Sequence, residues 1–357
     1  MNIIINRQSL LDAMTVAKSV IPSRSPKPIL QCVKLAAKKD ALILSATDLS
    51  LSIEYRIDAV QVHKPGELLL DADRLHAITR ESSDETLELS VNGDLAIVKG
   101  SDSQFKLHTQ PASDFPLLEF SKDRKFEING NALGEMVRMV ENAVATTDSR
   151  YTAQGIFIEG KDGTANFVAT NGKRLAIANV ASKLDVSAIV NPQALNLVVK
   201  LAGDNPVGFG IKDNRITLHT PNAKVSSVLM EGTFPPYADV IPEDLDRKAT
   251  LATADFLSAI RRAALLVSDE RPSVKMHFTK KGLVVESSNP DAGEATINFP
   301  CKFEGEEIEI AFNPRYLIDA LRVVKSDEVT LGLCAPNRPG VVRAPDYTYV
   351  LMPVNLL

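Results

Sequence analysis

Few side chains in this 357-residue chain are of a type and spacing suited to making or breaking bonds. Asp48 and Asp114 come nearest to a carboxylate pair for acid–base work. Each follows a hydroxyl residue, Thr47 or Ser113, and reads first as a turn or capping group. The five histidines, His63, His76, His108, His219 and His277, are scattered without ligand-spaced neighbours, so no metal is assigned. Cys32, Cys301 and Cys334 are far apart and odd in number, which disfavours both a disulfide framework and a zinc site. Gly208-Phe209-Gly210 lacks the third glycine of a dinucleotide loop, and no Walker loop, Gly-x-Ser-x-Gly or His-Glu-x-x-His is present. No catalytic residue and no cofactor is assigned, and the balance moves toward binding or scaffolding.

Charge offers a different chemistry. The net charge is -5, whereas nucleic-acid binders usually carry a basic excess. The six predicted helices nevertheless carry a surplus of about +4, leaving the remainder near about -9. Such segregation suits a surface facing phosphates on one side only, because local field outweighs net charge. Ordinary solvated helix faces fit the same count.

The elements that must position these residues recur. Asn191-Pro192-Gln193-Ala194-Leu195 starts a helix with a cap and a first-turn proline, and Leu195, Val198 and Val199 share its face. Asn313-Pro314-Arg315-Tyr316-Leu317 repeats the signal, and Asp71-Ala72-Asp73-Arg74-Leu75 is a weaker copy. An earlier helix opens each interval. Its stripes are Leu10, Met14, Ala17 and Ile21 with Ser9 as cap; Leu133, Val137, Val140 and Val144; and Leu257, Ile260, Ala264 and Val267. Ala46-Thr47-Asp48-Leu49 matches Ala169-Thr170-Asn171-Gly172, with Ser287-Ser288-Asn289 a looser third version.

After each second helix the sequence alternates, as in Thr86–Val91, Arg215–His219 and Val329–Leu333, the period of a strand with one wet face. Asn92-Gly93, Asp213-Asn214 and Lys281-Gly282 mark hairpins. Charged clusters at 121–125 and 243–248 read as linkers. The fold class is α+β: three repeated domains, 1–122, 123–247 and 248–357, each with two helices packed on antiparallel sheet. An apolar content of 45% supports real cores. The start lacks a secretory signal and no apolar run approaches the ~18 residues of a membrane span, which fits a cytoplasmic protein without membrane contact.

With these repeats stand Pro28-Ile29-Leu30, Asp114-Phe115-Pro116, Phe234-Pro235-Pro236-Tyr237 and Tyr349-Val350-Leu351-Met352-Pro353. In this order the phrases resemble those of the bacterial DNA sliding clamps, the beta subunits of DNA polymerase III, over the whole length. The resemblance implies the DNA clamp fold, closed into a ring as a head-to-tail homodimer with helices lining the hole. It implies a non-catalytic processivity factor that encircles double-stranded DNA without sequence preference. Its partners would be the polymerase catalytic subunit, the clamp loader and other replication or repair clients, bound through short peptides with Gln, Leu and Phe anchors.

Residue by residue, the implied peptide pocket comprises Thr170, Gly172, Lys173, Arg174, Leu175, Pro235, Val240, Asn313, Tyr316, Val350, Met352 and Pro353. Asp239 and Asn355 stand where relatives often carry basic residues. DNA contacts are implied for Arg24, Arg74, Arg80, Arg150, Tyr151 and Lys200. The dimer seam is implied for Phe105 and Leu107 against Leu265 and Leu266, with Asp102 and Lys106 in place of a basic run. Two competing readings are a β-rich multidomain enzyme with an interdomain active site and a monomeric peptide-binding scaffold.

Overall fold

A computed structural model describes all residues except 125, 148–153, 269, 271 and 355–357. Among the described residues there are six α-helices: α1 Arg7–Lys18, α2 Ala72–Glu81, α3 Gly130–Val140, α4 Pro192–Ala202, α5 Thr253–Ala263 and α6 Pro314–Val323. Every strand pair is antiparallel, in sheets of five, eight, nine and four strands. Packing groups the chain into two compact units, Met1–Asn131 with Gln193–Leu229 and Ala132–Pro192 with Met230–Leu357.

In the first unit an eight-stranded sheet is continuous because Ala223–Val228 pairs with Leu51–Ile57, setting Ser227 opposite Leu51. Its five-stranded sheet ends in the edge strand Gln104–His108. Helices α1 and α2 pack together, burying Leu10, Met14 and Ala17 of α1 and Leu75 of α2. In the second unit a nine-stranded sheet is continuous because Arg174–Ala181 pairs with Tyr347–Leu351. Helix α5 packs on α6 and on the strand Gly293–Phe299 of the four-stranded sheet.

Several local expectations shift. Asn6, not Ser9, caps α1: its side-chain oxygen accepts from the Ser9 backbone N–H at 2.9 Å, and the Ser9 hydroxyl donates to the same atom at 3.1 Å. Ile21 and Val144 fall beyond the ends of their helices. The buried face of α5 is Phe256, Ala259, Ile260 and Ala263, one position off the stripe through Leu257, Ala264 and Val267. Leu257 is only half-buried, and Phe256 takes the core position, its ring 5.7 Å from that of Phe299. The hairpin loops are Gly93-Asp94, Asp213-Asn214 and Lys280-Lys281, so two of the three expected pairs are displaced by one residue.

The expectation of one wet face holds for Thr86–Asn92 but fails for Arg215–His219, where Thr217 and His219 are buried. The linker covers that face: the Ser121 backbone N–H donates to Thr217 Oγ1 at 2.9 Å. In the second unit Leu245 lies over Gly332, where an added Cβ would meet its methyl at 2.7 Å. The charged linkers thus pack a buried Ser121 and a half-buried Leu245 against the sheets.

Replacing Asn6 by Ala should cost about 1 kcal/mol of stability, the usual loss of a helix cap. Ser9→Ala should cost clearly less. Urea unfolding of both variants checks the assignment, and a larger loss at Ser9 would return the cap to that residue.

Candidate functional site

In the second unit the residues Thr170–Arg174 close a turn whose polar groups satisfy one another. Thr170 Oγ1 donates to the Arg174 carbonyl at 2.8 Å and accepts from the Gly172 N–H at 3.1 Å. Asn171 Oδ1 accepts from the N–H groups of Lys173 and Arg174, both at 3.1 Å. Gly172 sits at φ +80°, a left-handed conformation that costs glycine least. The strand leaving this turn places Arg174 opposite Leu351 and Leu175 opposite Val350. The following residues stay attached, with Met352 N donating to Lys173 O at 3.0 Å and Val354 N to Ala311 O at 2.8 Å. Ala311 leads into α6, where Asn313 caps the helix by accepting from Arg315 N at 2.9 Å. Thr170, Gly172, Lys173, Arg174, Asn313, Tyr316, Met352 and Pro353 are therefore neighbours through one strand pairing and its extension.

Arg174 joins these pieces. Its Nη1 lies 2.6 Å from Asp319 Oδ2 and 3.2 Å from the Tyr349 hydroxyl, and Nη2 donates to the Asn142 carbonyl. The guanidinium stacks over the Tyr316 ring, 4.4 Å from its centroid. Burial opposes the charge, yet Tyr349 and Asp319 outweigh it and raise the Arg174 pKa above its ordinary value. Burial likewise drives the Tyr349 hydroxyl well above the normal phenol range. Asp319 and Tyr349 were missed in the sequence. Asp319 does lie three residues after Tyr316, on the same helical face, which was the available signal.

Beneath the turn, Leu175 and Val350 join Val168, Ile177, Ile189, Phe234 and Val341 in an apolar cluster. Phe234 stacks on Phe157 with centroids 4.8 Å apart. Tyr237 donates to Glu159 Oε2 at 2.6 Å, and burial first, then Glu159, pushes its pKa up to about 12. That bond fixes the segment from Pro235 to Val240. Leu175 and Val350 are each only 3% exposed and belong to the core. The apolar surface is supplied instead by Met352 and Val240, 45% and 54% exposed.

Arg24, Arg74, Arg80 and Lys200 are exposed in the first unit, Arg74 and Arg80 on α2 and Lys200 on α4. Gln193 Nε2 donates to the Ser19 carbonyl at 3.0 Å, tying the start of α4 to the end of α1. Arg80 pairs with its neighbour Glu81 at 2.8 Å. Arg150 and Tyr151 lie outside the described residues. Phe105 is 39% exposed on its edge strand, with Leu107 half-buried. Leu265 is 79% exposed in the short turn after α5, with Leu266 half-buried beside it. Asp48 Oδ1 accepts from the N–H groups of Ser50 and Leu51 at 2.8 and 2.6 Å, and so serves as a turn residue. Among the described residues no group of three or more His, Cys, Asp or Glu is placed to hold a metal ion, and no helix is long and apolar enough to cross a membrane.

Models of the N-terminal, central and C-terminal domains of the DNA polymerase III beta subunit match residues 1–119, 127–236 and 238–355. The beta sliding clamp of Proteus mirabilis is 30% identical over 370 residues, covering 100% of both chains. The chain belongs to the DNA polymerase III beta subunit family. A second beta sliding clamp, from Chlamydia pneumoniae, is 27% identical over 364 residues, covering 100% of this chain and 99% of its own. The sliding clamp of Bacillus subtilis superposes with a TM-score of 0.96 at 25% identity, and the Pseudomonas aeruginosa beta subunit with 0.94 at 27%, each covering 100% of both chains. As a beta sliding clamp the chain is a non-catalytic, DNA-binding processivity factor of replication, built from several sheet-and-helix domains. The enzyme reading gains no support: Asp48 holds a turn and Arg174 is committed to Asp319.

Leu175→Asp should destabilise the protein by several kcal/mol, because it buries a carboxylate in an apolar cluster. Met352→Glu should change stability by less than about 0.5 kcal/mol, as expected at the surface. Thermal unfolding separates the two. Equal losses would place Met352 in the core.

Proposed function

We propose that this sliding clamp acts by encirclement, in the cytoplasm. Three repeats, residues 1–122, 123–247 and 248–357, join head to tail with those of a second copy and close a ring of six. The match along the full length of the chain to beta subunits carries this reading. The repeated turns at Thr47–Leu51 and Thr170–Arg174, with the same bonding, support the correspondence of the first two repeats. Contact between two different patches forms a closed assembly only when its rotation completes a circle. Phe105 and Leu107 on an open strand edge, against Leu265 and Leu266 of the partner, supply two apolar patches for such a seam.

Arg24, Arg74, Arg80, Arg150, Tyr151 and Lys200 then face the duplex. Contacts to phosphate carry no sequence information, so a ring held by them slides. Their attraction is screened by salt, and topology rather than affinity prevents escape. The surface around Gly172, Lys173, Val240 and Met352 receives short peptides from the polymerase catalytic subunit, the clamp loader and other replication or repair clients. A flexible methionine on an exposed rim adapts to different clients. Tethering raises the effective concentration of polymerase at its template, which is the physical content of processivity.

The loaded protein should stay on nicked circular DNA and leave when the circle is cut, a dependence that no groove binder or conventional enzyme shares. Equal retention on linear DNA would remove the ring. Replacing Leu265 and Leu266 together by Lys should yield a folded monomer that is not retained on circles, because unpaired charge would be buried in the seam. Sedimentation reads the first outcome, and an unchanged dimer would relocate the interface.

A further inference from the structure

The junction that builds the peptide surface occurs twice in this chain, with the same backbone and different side chains. In the first unit Thr47 Oγ1 donates to the Leu51 carbonyl at 2.9 Å and accepts from the Leu49 N–H at 2.9 Å. Asp48 Oδ1 accepts from the next two N–H groups, as Asn171 does in the second unit. Leu49 adopts φ +81° where Gly172 adopts +80°. Val228 N donates to Ser50 O at 2.9 Å, the counterpart of Met352 N to Lys173 O at 3.0 Å. These bonds fix the correspondence residue by residue. Leu51 stands for Arg174 and, three strand positions before the matched amides, Val225 stands for Tyr349. Along the helices that begin Asn191-Pro192 and Asn313-Pro314, Ala194 stands for Tyr316 and Leu197 for Asp319.

Leu51, Val225, Ala194 and Leu197 are all buried. The four corresponding positions of the first unit are thus apolar and buried, whereas those of the second hold an arginine, an aspartate and two tyrosines. The fold does not require the polar set. Desolvating an ion pair offsets most of its attraction, and apolar residues of similar volume do as well or better. Polar residues kept at such a position serve something other than stability. At the second junction they lie beside exposed Met352, whereas the first junction has Val228 at that place.

We propose that Asp319 is a positioning residue of the client-peptide site. With Tyr316 and Tyr349, it locks the Arg174 guanidinium into one orientation, so that the Arg174 side chain forms a rigid wall for the incoming peptide. Asp319 itself touches no client. Its carboxylate acts through Arg174, and the cluster sets peptide affinity rather than fold or ring closure. This inference rests on the peptide-site reading above.

The test uses the full chain and a labelled synthetic peptide carrying Gln, Leu and Phe anchors, with affinity read by fluorescence anisotropy. Asp319→Asn keeps the shape and removes the charge; it should weaken binding about tenfold, with dimer sedimentation unchanged and a lowered melting temperature that still leaves the protein folded at the assay temperature, because Arg174 loses its counter-charge. On an Arg174→Leu background the same change should cause no further loss. The double variant Arg174→Leu with Asp319→Leu, which installs first-junction residues, should fold, dimerise and fail to bind. Binding of Asp319→Asn within about twofold of the parent would overturn the proposal, as would loss of folding in the double variant or an independent loss on the Arg174→Leu background. Met352→Glu run in parallel separates the two readings. If it abolishes binding while Asp319→Asn does not, only the positioning role fails; if it leaves binding intact, the peptide site itself is misplaced.

Discussion

The second unit depends on a single strand pairing, that of Arg174–Ala181 with Tyr347–Leu351. A strand edge presents a row of N–H and C=O groups that must find partners once water is excluded. Here two edges separated by more than 160 residues satisfy each other, and a nine-stranded sheet results. The pairing sets Leu175 opposite Val350 on one face and aligns Arg174 and Tyr349 on the other, because side chains alternate along a strand. Core and candidate site are thus two faces of one register. A slip by one residue would exchange them, placing a guanidinium among Phe234, Val168 and Ile189.

That register explains why the site has an apolar rim and a charged interior. The turn Thr170–Arg174 bonds itself through Thr170 and Asn171, so it makes few demands on its surroundings. Of its two long side chains Lys173 is exposed, whereas Arg174 is largely buried where the sheet ends against α6. A buried guanidinium is tolerable only with several acceptors and a counter-charge. Asp319, Tyr349 and the Asn142 carbonyl meet that need, and the Tyr316 ring covers the remaining face. Burial of Leu175 and Val350 beneath leaves Met352 and Val240 as the accessible apolar groups.

Much of this was legible in the chain itself. Asn313-Pro314 announces a capped helix start, and the structure places the cap on Asn313. The matched phrases at 46–49 and 169–172 announce a repeated turn, which the hydrogen bonds reproduce. What was hidden depends on long-range contact. Alternation in Arg215–His219 implied a wet face, yet the Ser121 amide and its linker cover it, and no local pattern encodes a covering segment 96 residues away. The α5 stripe was displaced because Phe256 and Leu257 are adjacent and both apolar, and tertiary packing alone decides which turns inward. Asp319 reads locally as one more helix acid, since its partner Arg174 is 145 residues distant.

Charge segregation follows the same logic of place over total. A net charge of -5 would repel a polyanion if spread evenly. Two basic residues are answered locally, Lys18 of α1 by Asp73 at 2.9 Å and Lys325, just beyond the end of α6, by Glu135 at 2.8 Å. Arg24, Arg74 and Lys200 are exposed in the first unit. Each added phosphate contact steepens the dependence of binding on salt and deepens the well from which a sliding protein must climb. Under the encirclement proposed above, closure supplies the persistence and a deep well adds nothing. A few weakly held cations on an acidic body are therefore the charge pattern that encirclement favours, and a strongly basic surface would work against it.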